Sequence, residues 1–298
     1  MATNPKNVEA EQAKGAVREV ARKIRGMPTS DGAGVRLTRV IGQPALDSFD
    51  PFLLLDELRS DDPNDYIEGF PNHPHRGFET VTYMLAGNMR HGDNQGNSGL
   101  LGPGAVQWMT AGKGLVHSEI PEQKDGLMWG FQLWVNLPAK DKLMKPRYQD
   151  IQGDQVPEVE LGPGARARVL VGTVNGVKGP VMEVATDPLY FDLHLEPNAS
   201  YTATLPEGHN AFAYVYQGDA KVGAAGTGIK AQEMALLTRG ASLPVTAGGQ
   251  GARLIVVAGR PLNEPVARYG PFVMNTRAEL SRAFEDFRSG RMGEIMAR

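Results

Sequence analysis

The chain of 298 residues contains no cysteine. That absence excludes disulfide scaffolds, zinc–thiolate sites, iron–sulfur ligation and thiol nucleophiles together. Any metal must be held by histidine and carboxylate, and only six histidines exist: His73, His75, His91, His117, His194 and His209. No run approaches the 18 or more apolar residues of a membrane span, and the N-terminal MATNPKNVEAEQAKG has no apolar core of the secretory type. The acid–base balance is close to even, with a formal net charge of −3, so there is no electrostatic footprint for direct nucleic-acid binding. A soluble, cytoplasmic protein with no membrane contact is the expectation.

What is abundant is glycine and proline, 36 and 21 residues, about 19 % of the chain against roughly 12 % in average usage. The excess has no collagen-like period and implies many tight turns between short elements. Runs rich in β-branched and aromatic residues fall at Thr80–Leu85, Met128–Asn136, Arg168–Val171, Phe212–Tyr216 and Arg253–Ala258, as strands of an all-β protein would. Helical patterning is expected at the two ends. Val17, Val20, Ala21 and Ile24 recur at helical spacing and predict a short amphipathic helix in an N-terminal arm, where Glu9, Glu11 and Glu19 argue against a transit peptide. Near the C-terminus, Thr276 and Glu279 fit a capping box, and Leu280, Phe284 and Phe287 share a face until Gly290. This segment is read as packing only.

An internal repeat is visible. FETVTYMLAG (78–87) resembles HNAFAYVYQG (209–218) at an offset of 131, and MTAGKGL (109–115) resembles LTRGASL (237–243) at an offset of 128. Two matches in the same order at nearly equal offsets predict a duplicated β domain.

The chemistry concentrates in Gly69–Gly87 and Gly102–Glu119. On a strand, residues of equal parity share a face. His73, His75 and Glu79 are all odd, and the odd series continues through Val81, Tyr83 and Leu85. The imidazoles are therefore expected beside the apolar side chains that fill a barrel interior. His117 and Glu119 share parity on what reads as an adjacent strand. Three imidazoles and a carboxylate suit a first-row transition metal and leave two positions of an octahedral ion open. With a divalent ion the site carries about +1 net charge, which favours an enolate or phenolate donor. Glu79 and Glu119 compete for the carboxylate position. His91, His194 and His209 stand outside the matched spacing and are read as structural. Gln132 and Trp134 share a parity and are expected either to line a pocket or to pack the barrel. Arg76 and Lys113 flank the motifs, as anion-steering or solvated groups.

These residues resemble the two motifs of the cupin superfamily, Gly69…His73-x-His75-x3-Glu79-x7-Gly87 followed by Gly102-Pro-Gly104…His117. FPNHPHRGFETVTYMLAG (70–87), QWMTAGKGLVHSE (107–119), GPFVMNT (270–276) and DPFLLLDEL (50–58) are more closely similar to pirins, with the resemblance running from about Gly34 to Arg288. It implies a bicupin: an N-terminal extension (1–28), a metal-binding barrel (29–150), a second barrel (151–274) and a terminal helix (275–298). It implies Fe(II), or another divalent transition metal, on His73, His75, His117 and Glu119, with Glu79 on the substrate side or behind the ligands. Glu119 or Glu79 would accept a substrate proton. Carried through the repeat, the ligand positions fall on Thr204, Pro206, Asn210, Val245 and Ala247, so the second barrel is expected to hold no metal. The implied activity is oxygen-dependent ring opening of a flavonol, as in quercetin 2,3-dioxygenase. The alternative the resemblance carries is a metal-dependent regulatory module that binds a protein partner, either as a transcription co-regulator or as a modulator of an enzyme.

Overall fold

A computed structural model describes residues 15–293. Antiparallel strands dominate, and one α-helix, Arg277–Arg288, stands among the described residues. None of the helices described is long and apolar enough to cross a membrane. The chain forms two compact units, each discontinuous in sequence. One joins Met27–Val156 to the segment from Leu262 onward, and the other joins the described residues up to Gly26 to Pro157–Pro261. A linear reading with cuts after residues 28, 150 and 274 misses this exchange. The hairpin Ala267–Tyr269/Phe272–Met274 belongs with the histidine-bearing unit because its backbone completes that unit's hydrogen bonds. Arg76 N–H donates to Pro271 O at 3.2 Å, and Val273 N–H donates to Arg76 O at 3.0 Å.

The histidine-bearing unit has two sheets. A seven-stranded sheet runs in the order Arg147–Ile151, Val106–Thr110, Phe78–Ala86, Met128–Asn136, Phe52–Ser60, Val35–Ile41, Met27–Asp31. A four-stranded sheet runs Phe70–His75, Leu115–Pro121, Met89–Asp93, Ser98–Leu101. The central strands of the larger sheet are buried on both faces, which explains why they read as near-continuous apolar runs rather than as alternating patterns. The terminal helix starts as its sequence predicts. Thr276 accepts from Glu279 N–H, and the Glu279 carboxylate accepts from Thr276 N–H, forming a capping box. Leu280 and Phe284 pack against Phe272, Ala283 and Met292.

The second unit is a nine-stranded antiparallel sheet around an aliphatic core that includes Val245 and Ala247. Its long strands Asn210–Val222 and Ser242–Gly259 change register at Val215/Gln217 and Gly218/Ala220, so each pairs with different neighbours along its length. The repeat appears here in the hydrogen-bond register itself. In the first unit Val81 and Tyr83 face Trp108 and Val106; in the second, Phe212 and Tyr214 face Leu236 and Met234. These are the same pairs moved by 131 and 128 positions.

The N-terminal helix is not formed. Val20–Arg25 is a β-strand paired antiparallel with Glu233–Leu237. Only Ile24 of this strand is fully buried, and Arg22, Lys23 and Arg25 point to solvent. An edge strand carrying exposed charges mimics an amphipathic helix over so short a stretch, and the ladder to Glu233–Leu237 decides between them. Arg18 anchors the entry to this strand. Its buried guanidinium donates to the carbonyls of Gly240, Thr238 and Pro206 at 2.7–2.8 Å. Glu9 and Glu11 lie outside the described residues.

Candidate metal centre

Phe70–His75 and Leu115–Pro121 pair antiparallel with His117 directly opposite His73. His73 and His75, two residues apart, project to the same side. One nitrogen from each of the three imidazoles falls in a group whose members all lie within 4.8 Å of one another. The Nε2 atoms of His73 and His75 are 3.0 Å apart, and the His117 ring centroid sits 4.4 and 5.0 Å from theirs. His73 Nδ1 lies 2.8 Å from Pro71 O. A carbonyl only accepts, so Nδ1 carries the hydrogen and the Nε2 lone pair faces the other imidazoles.

This convergence is costly without a cation. His117 is fully buried, and neither of its ring nitrogens has a hydrogen-bond partner. Unpaired buried polar atoms cost about 1–3 kcal/mol each. Burial, and then the neighbouring His73 and His117, hold His75 well below the ordinary histidine range; burial, then His73 and His91, do the same for His117. Neutral imidazoles with their lone pairs crowded together are the donor set a divalent transition metal requires. The residues present fit such an ion.

Glu119 and Glu79 are separated by the fold. The register of Leu115–Pro121 against Phe70–His75 slips between His117 and Glu119. The Glu119 carboxylate, buried and outside the 4.8 Å group of imidazole nitrogens, accepts from Thr82 Oγ1 at 3.0 Å and from Gln132 Nε2 at 2.8 Å. Thr82 therefore marks the face of Phe78–Ala86 that looks toward the centre, together with Phe78, whose ring lies 5.0 Å from His75. That is the even face. Glu79 is on the odd one, where it accepts from Thr110 Oγ1 at 2.7 Å across the ladder. The parity argument fails at one point. Arg76–Gly77 is a corner between two strands of different sheets, so parity does not carry from His75 to Glu79. Gly77 makes the corner with φ of +87°, and a Cβ there would collide with Val273 O. Burial pushes the Glu79 carboxyl up to about 7, opposed by the Thr110 hydrogen bond.

A cavity of about 530 Å³ opens beside the centre, lined among others by His73, His75, Gln132, Trp134, Arg39, Asp56 and Arg268. Gln132 and Trp134 are thus both in the wall. Trp134 meets His75 edge-on with centroids 5.1 Å apart. Arg76 does not face the cavity lining. It is buried, pairs with Asp286 at 2.7 Å and donates to Lys113 O, tying the terminal helix down. Sequence reasoning missed Arg39, Asp56 and Arg268. Thr82, Gln132, Asp56 and Arg39 are consecutive cross-strand neighbours, a polar row that only strand register reveals. Arg39 grips Asp56 with two bonds of 2.9 and 2.8 Å and also reaches Asp31 at 2.7 Å. Burial nonetheless pushes the Asp56 carboxyl up to about 6.

The remaining histidines each have a carboxylate at Nε2: Asp150 at 2.8 Å from His91, Asp192 at 2.9 Å from His194, and Asp187 at 3.6 Å from His209.

Comparison with known proteins places this architecture. Residues 34–135 match the family model described as pirin, and residues 190–293 match the pirin C-terminal cupin domain. A Pseudomonas aeruginosa protein provisionally named a quercetin 2,3-dioxygenase is 50 % identical over 278 residues, covering 92 % of this chain and 97 % of its own. A pirin-like protein of Caulobacter vibrioides is 50 % identical over 276 residues, with 92 % and 99 % covered. The crystal structure of an Acinetobacter baumannii quercetin 2,3-dioxygenase superposes with a TM-score of 0.87 at 33 % identity, covering 94 % of this chain and all of that one. Two tandem cupin domains, the first carrying the clustered imidazoles, make this chain a member of the pirin family.

Proposed function

We propose that the protein is a flavonol 2,3-dioxygenase of the quercetinase type, holding Fe(II) on His73, His75 and His117 with Glu119 as fourth ligand. The observation that carries this reading is the convergence of three imidazoles, two of them buried, with both ring nitrogens of His117 and the Nδ1 of His75 left without a hydrogen-bond partner. The names of the P. aeruginosa relative and the A. baumannii neighbour support the substrate class. Other divalent transition metals suit the same donors. When bound, the metal supplies a Lewis acid for the substrate's 3-hydroxyl and 4-carbonyl oxygens and an electron path between the flavonol and dioxygen.

The chain's own residues do the rest. Thr82 and Gln132 each donate to one oxygen of Glu119, fixing the carboxylate while leaving a second lone pair on each oxygen. Glu119 uses one of these to accept the proton of the 3-hydroxyl, so the substrate binds as its enolate. Trp134, Leu54, Leu58 and Phe70 form the apolar part of the cavity wall and keep water from the flavonol ring system. Glu79 takes no part, because it lies on the other face of its strand.

Oxygen uptake with quercetin, measured on iron-reconstituted and chelator-stripped protein, tests the proposal. One dioxygen consumed per quercetin, only with iron, is expected. Full iron occupancy without uptake overturns it and leaves the metal-dependent regulatory module, which a stoichiometric protein partner in a pull-down would identify.

A further inference from the structure

The cavity beside the imidazoles has two arginines in its wall, and they are not equivalent. Arg39 is held between Asp56 and Asp31. Arg268 donates from Nη1 to Leu53 O at 2.7 Å, and among the described residues no carboxylate oxygen lies within ion-pair distance of it. Burial, and after it the Arg39 charge, lower its basicity, opposed by Asp47 and Asp56 from farther away. Its guanidinium lies over Trp134, 5.0 Å from the ring centroid, and Trp134 in turn meets His75. Arg268 Cζ is therefore no farther than about 10 Å from the His75 ring centroid. A half-buried guanidinium braced on an indole and by one carbonyl is preorganised, with its other N–H groups left to donate into the cavity.

We propose that Arg268 is the specificity-determining residue of this site, selecting aromatic enols that carry a second, anionic oxygen on the ring remote from the chelating pair. The shared chemistry is an anionic oxygen, either a carboxylate or an ionised phenol, that receives one or two N–H bonds while the enol oxygens face the imidazoles. This rests on the dioxygenase reading for the orientation of the ligand. A charge-assisted hydrogen bond of this kind is worth roughly tenfold to a hundredfold in affinity. The sequence carries no hint of it, because Arg268 is more than 150 residues from His73, His75 and His117 and outside both motifs.

The test compares 3-hydroxyflavone with its 7-carboxylate as ligands of metal-loaded protein, by calorimetric titration under anaerobic conditions. Wild type is expected to favour the carboxylate at least tenfold. Arg268→Gln brings the ratio to about one, and Arg268→Lys, which keeps the charge, restores part of it. A ratio unaltered in Arg268→Gln, or one near unity already in wild type, overturns the proposal. If neither flavonol binds wild type at all, the dioxygenase reading fails, and benzoate titrated into metal-free protein decides the arginine separately. Saturable quenching of tryptophan fluorescence that is lost in Arg268→Gln supports the assignment, and quenching equal in both proteins, or absent from both, refutes it.

Discussion

Glu79→Gln separates the two carboxylates of the motif by their energetics. In the folded protein burial raises the Glu79 carboxyl from 4.5 to about 7. Below pH 4.5 the group is protonated in both folded and unfolded chains and contributes no pH dependence. Between 4.5 and 7 the unfolded chain ionises first, so folding becomes progressively less favourable, and above 7 the cost is constant. A shift of this size corresponds to about 3 kcal/mol. Glutamine cannot ionise, so the variant escapes the cost. Whatever fixed offset the amide introduces beside Thr110 and Trp108, the stability of Glu79→Gln relative to wild type should rise by about 3 kcal/mol between pH 4.5 and 7.5. Urea denaturation of metal-free protein at several pH values measures this. Turnover of iron-loaded Glu79→Gln should stay within about twofold of wild type, because the side chain is on the strand face away from the imidazoles. A parallel pH dependence in the two proteins would refute the reasoning about burial, and a variant as inactive as Glu119→Gln would refute the placement.

Other consequences follow from the same contacts. Gln132→Leu removes the donor to one Glu119 oxygen, and turnover should fall about tenfold, in the range seen when groups supporting metal ligands are lost; steady-state kinetics at fixed iron content checks it. Adding metal at a hundred times its Kd should stabilise wild type by about 2.7 kcal/mol. A chelator should reverse this in thermal denaturation, while His117→Ala should show no response to either. Thr276→Ala removes the side-chain cap of the terminal helix and should cost about 1 kcal/mol, visible as a lower midpoint in urea with no change in metal content.

Much of the arrangement is legible before any coordinates. The strands around Thr80–Leu85 and Met128–Asn136 announce themselves because they are apolar and β-branched on both faces. The repeat is legible because two cupin units with the same ladder need similar residues at the same spacing, and Tyr83 and Tyr214 occupy matching places in their ladders. His73, His75 and His117 stand out since nothing else accounts for three imidazoles in such company. What escapes depends on distant chain. Parity cannot be carried through the Arg76–Gly77 corner, so Glu79 falls on the opposite face from the one expected. Val20–Arg25 takes its conformation from Glu233–Leu237, more than 200 residues away. The polar row from Thr82 to Arg39 and the placing of Arg268 exist only once four strands and a returning C-terminal segment are in register.

The most direct measurement is iron stoichiometry, by elemental analysis after anaerobic reconstitution and desalting, across wild type, His117→Ala, Glu119→Ala and Glu79→Gln. One iron per chain in wild type and Glu79→Gln, none in His117→Ala, and weakened retention in Glu119→Ala is the expected pattern. Full iron retention in His117→Ala, or loss in Glu79→Gln with retention in Glu119→Ala, would contradict the account.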